Sequence, residues 1–275
     1  MDSASRKHVN RTASRMSKAL WMPGLPLVLG ASVQSNPHWF LILMAVGACV
    51  LVVWLIRRIR YPSKLRLSGS PGRPNRVNPL HVVFLLLIWF ASRAMVAESL
   101  KNRFDGMTVE LHVLAASCGQ AVWLAGSLAV AAFAFRGGLR RGLGLSVRHW
   151  PWDSVRAVLA YLALLPVAMG MYFFMTGVLP PDWIREHELL VAMRAMSAPW
   201  KALAAVSAVV LAPLSEEIFF RGLFQSMIRM YTRRPWVAIL VTSLAFAAVH
   251  IPLWHTLPSL FLLSVVLGYN YARCG

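Results

Sequence analysis

Trp39-Phe-Leu-Ile-Leu-Met-Ala-Val-Gly-Ala-Cys-Val-Leu-Val-Val-Trp-Leu-Ile56 runs for 18 residues without a charge. As a helix this stretch would be about 27 Å long, close to the hydrocarbon thickness of a bilayer. Outward from it the pattern recurs, with further apolar stretches near 80–97, 109–135, 157–178, 203–228, 236–254 and 257–272. Composition agrees: the 275 residues are 58% hydrophobic and only 14% charged, whereas a soluble domain carries about 25% charged residues. In lipid every backbone polar group must be satisfied internally, which leaves helices or closed barrels. Continuous apolar runs of this length select the helix. The predicted fold is therefore all-α, a multi-pass transmembrane bundle of about 7–8 helices, integral to a membrane and partnered by the lipid bilayer.

The net charge of +18 invites a nucleic-acid partner, but the basic residues do not form a stripe interleaved with aromatics. They cluster between apolar spans. The first such connection holds Arg57, Arg58, Arg60, Lys64, Arg66, Arg73 and Arg76, the second Arg136, Arg140, Arg141, Arg148 and Arg156, and the third Arg229, Arg233 and Arg234. They alternate with 98–108 and 179–202, where acids and bases balance. The positive-inside rule makes the three basic connections cytoplasmic and predicts no nucleic-acid partner. Three scattered cysteines, Cys49, Cys118 and Cys274, form no CxxC. They supply no disulfide framework and no thiolate zinc site, and Cys49 is expected as a small core residue.

Three regions follow. Residues 1–38 form a basic arm and a weak apolar segment, Ala19 to Val33, broken by Pro23 and Pro26. Residues 39–154 form an N-terminal transmembrane region, and 155–275 a core that carries the chemistry. Seven crossings with cytoplasmic basic loops place the arm outside. Either Ala19 to Val33 makes an eighth crossing, or the true start lies at Met16 or Met22. No internal repeat or separate soluble domain is visible.

Of ten acidic residues, only Glu216 and Glu217 sit well inside an apolar stretch, Val209-Val-Leu-Ala-Pro-Leu-Ser-Glu-Glu-Ile-Phe-Phe-Arg221. A carboxylate at that depth is costly unless paired, hydrated or protonated, and ionising one raises the pKa of its neighbour. Glu217 and Arg221 are spaced i,i+4 and can pair on one helix face. Glu216 points about 100° away and needs another partner. The plainer alternative is that both acids knit helices together through buried ion pairs.

Of eight histidines, His8, His38, His81, His149 and His187 fall in the arm, in loops or at span edges, and His112 is left unassigned. His250 ends Val241-Thr-Ser-Leu-Ala-Phe-Ala-Ala-Val-His250, a helix rich in small residues that permit close approach. Phe246 and His250 share a face. Alone, His250 would be a helix-packing group; beside an unpaired Glu216 it becomes a candidate for chemistry. His255, beyond Pro252, is expected at the membrane interface. A carboxylate and an imidazole converging on water form a hydrolytic arrangement. HExxH and GxSxG are absent.

These residues resemble the CAAX protease and bacteriocin-processing family of intramembrane proteases. Its EExxxR motif corresponds to Glu216-Glu217-Ile-Phe-Phe-Arg221, followed by Gly222, and its FxxxH motif to Phe246-Ala-Ala-Val-His250. The resemblance covers about 155–275. It implies an intramembrane endopeptidase acting on membrane-associated or prenylated-type peptide or protein substrates. Glu216 would be the general base, His250 its catalytic partner, and Glu217, Arg221 and Phe246 the support. It implies either no cofactor or a divalent metal such as zinc, held in that case by Glu216 and His250. It also implies a bacterial cell membrane as the location; the oligomeric state is left open.

The family's last motif, HxxxN or HxxxD, has no counterpart before Gly275, so the core is expected to be truncated at its C-terminus and to cleave feebly or not at all. Two rivals stand beside the protease reading. One is a non-catalytic immunity or scaffold protein of the same fold. The other is a proton-coupled transporter using Glu216 as a relay, against which the lack of inverted repeats argues.

Overall fold

The computed structural model describes residues 37–61, 67, 72–103, 108–144, 150–251 and 253–274. The basic arm and the proposed crossing at 19–33 lie outside the described residues. Residues 1–41 and 42–275 form two separate units. The first is described only from Pro37, where the first helix begins; everything below on packing concerns the second.

Nine helices are described: α1 (Pro37–Arg60), α2 (Pro79–Arg103), α3 (Val109–Ala134), α4 (Gly138–Gly142), α5 (Trp150–Val178), α6 (Glu188–Ala195), α7 (Ala198–Thr232), α8 (Pro235–Ala248) and α9 (Leu257–Cys274). Among the described residues the only β-type pairing is an isolated bridge between Asn75 and Phe135. α1, α2, α3, α5 and α7 are each long and apolar enough to cross a membrane. Their outward faces are greasy, with Phe133 89% and Ile59 80% exposed. A soluble surface would rarely carry so much contiguous apolar area. The chain is an all-α, integral membrane helical bundle.

The apolar stretches expected from sequence all appear as helices, with three differences. α5 starts at Trp150, not 157. The connection 179–202 is largely helical, holding a 3-10 turn at Pro181–Trp183, α6 and the start of α7. α8 ends at Ala248 instead of continuing to 254. The cause of the last is local: Pro252 disfavours helix in the residue before it, and His250 N–H bonds only three residues back, to the Ala247 carbonyl at 3.0 Å. At about 21 Å, α8 is shorter than the hydrocarbon layer.

Two histidines, His81 and His187, take part in capping helix starts. Asn78 and His81 exchange bonds at the start of α2, Asn78 N–H to His81 Nδ1 at 3.2 Å and His81 N–H to Asn78 Oδ1 at 3.1 Å. His187 Nδ1 accepts from Leu189 N–H at the start of α6. Cys49 does not enter the core as the sequence suggested. It is exposed on α1, on a face that meets no other element among the described residues and is apolar enough to meet lipid.

The main core joins α2, α3 and α7 with one residue of α8. Leu85, Trp123, Phe219, Phe220, Leu223 and Phe246 lie at its centre. Ring contacts run across it without a gap: Trp89 to Trp123 at 5.3 Å, Trp123 to Phe219 at 4.9 Å, Phe219 to Phe220 at 5.0 Å, and Phe220 to Phe246 at 5.2 Å. Such pairs contribute about 0.5–1.5 kcal/mol each beyond their buried area. They fix the rotation of α7 and α8 against α3.

Candidate functional site

α7 is not a uniform α-helix. It passes through two π-helical segments, Ser207–Leu211 and Glu217–Gln225, separated by the α-turn Ala212–Glu216. Pro213 has no N–H to give to the preceding turn and its ring crowds that turn's carbonyl. A local widening to i,i+5 bonding relieves this, and Ala212 N–H accordingly bonds to Ser207 O. Glu216 and Glu217 sit at the junction of the regular turn and the second widened segment.

α7 and α8 are joined by Arg233 and Arg234 alone, with Arg233 in the left-handed region at φ 55°. So tight a connection makes them antiparallel neighbours. Glu216 lies 16 residues back from Thr232, and His250 lies 15 residues on from Pro235. The two therefore reach a similar level from the shared turn. The packing fixes this register: Phe246 stacks edge-on to Phe220 and lies under the Arg221 guanidinium, whose Cζ is 4.8 Å from the ring centroid. One turn further from the connection on each helix come Glu216 and Glu217 on α7 and His250 after α8.

The i,i+4 pairing of Glu217 with Arg221 is present, Oε1 to Nε at 3.4 Å. Its burial is the reverse of what two costly carboxylates suggested. Arg221 is fully buried, while the Glu217 side chain is 42% exposed. Arg221 is the group out of reach of solvent. Its Nη2 donates to Ser264 Oγ of α9 at 3.2 Å, whereas Nε and Nη1 make no hydrogen bond. The guanidinium thus ties three helices together by one hydrogen bond, one ion pair and one cation–π contact. The next residue, Gly222, packs closely: a Cβ there would come within 2.6 Å of Leu143 Cδ2, so a larger residue would require the Leu143 side chain to shift.

His250 is half-buried. Its Nδ1 bonds to the Phe246 carbonyl at 2.8 Å and its ring lies 4.9 Å from the Phe246 ring. A carbonyl can only accept, so Nδ1 carries the proton. In the neutral imidazole Nε2 is then the acceptor, available to water. Phe246 thus places His250 twice, through its ring and through its carbonyl.

A polar ladder leads from α2 to the residue beside Glu216. Trp89 Nε1 donates to Gln120 Oε1 at 3.2 Å, and Gln120 Nε2 donates to Ser215 Oγ. Ser215, fully buried, shares its own hydrogen between the Leu211 and Ala212 carbonyls, both at 2.9 Å. Sequence reasoning missed Gln120 and Ser215. The available signal was Gln120 itself, an amide alone in an apolar span.

Glu216 and His250 share no hydrogen bond or ion pair, so the structure sets them at one level without joining them. Among the described residues, no three His, Cys, Asp or Glu side chains converge as a metal site requires. His255, expected at the interface, is buried at 6% exposure and packs edge-on to Tyr172 of α5 at 5.5 Å. The 3-10 turn Trp254–Thr256 brings it against α5.

No curated protein and no solved structure matches the chain. A family model does: that of the type II CAAX prenyl endopeptidase Rce1-like proteins matches residues 198–275. The match spans α7 to α9 and takes in both glutamates, Arg221, Phe246 and His250. Residues 198–275 are thus similar to the type II CAAX prenyl endopeptidase Rce1-like family.

Proposed function

We propose that this protein is an intramembrane endopeptidase that cleaves peptide bonds of membrane-associated or prenylated-type substrates. The observation that carries the reading is the register of α7 against α8. Phe246, seated between Phe220 and Arg221, brings His250 to the level of Glu216.

Glu216, the acid not paired with Arg221, accepts a proton from water. His250 Nε2, freed by the Nδ1 bond to Phe246, accepts a hydrogen bond from the other O–H of that water, which stays intact, and orients it. The hydroxide adds to the peptide carbonyl carbon, and the resulting oxyanion collapses with cleavage of the C–N bond. The leaving amine takes its proton from Glu216. General-base assistance of this kind contributes about 10²–10⁴ in rate.

The test is cleavage of a membrane-anchored peptide by the full chain in proteoliposomes. Glu216→Gln should lower turnover by about 10²–10⁴ while leaving the detergent melting temperature unchanged. Turnover equal to the parent would overturn the assignment.

One observation favours a second reading, a non-catalytic partner-binding protein of the same fold: Glu216 and His250 are not joined. On that reading the parent chain shows no turnover at all, while both residues remain dispensable for folding.

A further inference from the structure

We propose that a cavity at the Thr232 end of α7, remote from Glu216, binds the phosphate of an anionic membrane lipid. The cavity encloses about 350 Å³ and is lined by Arg73, Gln225, Ser226, Arg229, Arg233 and Tyr271 among others, with no acidic residue among the described residues of its wall. Three guanidinium groups, a phenol and a hydroxyl make a wall rich in donors.

The donors are held in place. Arg73 Nη1 donates to the Gly142 carbonyl at 3.1 Å, and its guanidinium stacks on the Tyr271 ring with Cζ 4.0 Å from the centroid. Gly144 takes a positive φ of +71° and lies directly against Arg73 Nη2, leaving no room for a side chain there. Ser226 Oγ and Tyr271 OH lie 3.5 Å apart. Asn75 Nδ2 donates to the Ser226 carbonyl at 3.4 Å and fixes the loop that carries Arg73 to α7. Guanidinium forks match the geometry of phosphate oxygens.

The position in the bundle selects a lipid over a dissolved anion. The cavity opens where the membrane-crossing helix α7 ends, beside an aromatic girdle. Tyr231 is 59% and Trp236 42% exposed, and Trp236 stacks on Tyr269 at 5.8 Å. Nearby Arg58 lies over both Trp54 and Tyr269, at 5.1 and 5.9 Å. Exposed tryptophans and tyrosines mark the headgroup level of a bilayer. Met230 lines the cavity and is itself outward-facing, so acyl chains leaving the cavity would meet an apolar rim. A basic pocket between spanning helices at headgroup depth suits an anionic lipid. This inference stands apart from the hydrolytic reading.

The test uses the full chain in detergent micelles and mass spectrometry under native conditions. Phosphatidylglycerol, phosphatidylcholine and inorganic phosphate are titrated separately. The parent should retain phosphatidylglycerol about tenfold more strongly than phosphatidylcholine, whose choline offsets its phosphate. Arg229→Gln combined with Arg233→Gln should abolish the preference. If that pair does not fold, Arg233→Glu alone, at an exposed helix end, should still reduce it. Equal retention of the two lipids by the parent would overturn the proposal, as would a folded variant that keeps the preference. Binding of inorganic phosphate as tight as that of phosphatidylglycerol would overturn the lipid as the source of the anion.

Discussion

α1 and α7 are both apolar helices of spanning length, yet they do opposite things with their polar residues. α1 has the higher mean hydropathy, 2.8 against 1.7, and almost none of it is buried within the protein. Its charges, Arg57, Arg58 and Arg60, stand at its end. α7 carries Ser215, Arg221, Gln225 and Ser226 along its length, and all four are buried against other helices. In lipid, a buried polar side chain must find its partner inside the protein. Each one on α7 does so: Ser215 meets Gln120, Arg221 meets Ser264, Gln225 bonds the Gly268 carbonyl at 2.9 Å, and Ser226 approaches Tyr271. Hydropathy therefore locates the lipid, and interruptions of hydropathy locate the contacts that specify the bundle.

The sharpest way to break this contrast is to strand Arg221. Glu217→Gln removes its ionised partner and leaves a fully buried guanidinium held by Ser264 and the Phe246 ring. Breaking a fully buried pair typically costs about 3–5 kcal/mol. Because Glu217 is half-exposed, about 2–3 kcal/mol is expected here, measured by denaturation in detergent. Replacing both residues by methionine should cost less than the single change, since no charge is then left uncompensated. A single change with no effect would remove Arg221 from the role of central tie.

Next in size comes Gln120→Leu, which leaves Trp89 Nε1 without its acceptor and Ser215 without its donor. A loss of about 1–2 kcal/mol is expected. If the ladder also positions Glu216, turnover should fall while KM stays constant. A matching change on α1 should do least. Val53→Ala, at an outward position 56% exposed, should alter stability by less than about 0.5 kcal/mol. A large loss there would mean that α1 packs against another protein surface.

The sequence made the helices legible because charge-free runs of spanning length have few alternatives in lipid. It made the Glu217–Arg221 pair legible because i,i+4 spacing places both groups on one face. It did not show which partner is buried, since that depends on α8 and α9 closing over Arg221. The π-helical widening around Pro213 was likewise hidden, because a proline within a helical stretch can equally kink the helix or end it. Cys49 was misplaced, and the burial of His255 was hidden, for one shared reason. A span can turn a given face to lipid or to protein, and a short turn can fold its residues back, with the same local sequence. The Gln120–Ser215 bond joins residues far apart in the chain and had no local signal beyond the lone amide.

The central claim is that Glu216 and His250, set at one level by Phe246, act on the same water. The direct measurement is a double-mutant cycle on peptide cleavage in proteoliposomes, using Glu216→Gln, His250→Ala and the pair. Residues that act as a unit are strongly non-additive. The double variant should be no slower than the slower single variant. Losses that multiply, with all variants folded, would show that the two side chains work independently and would contradict the account.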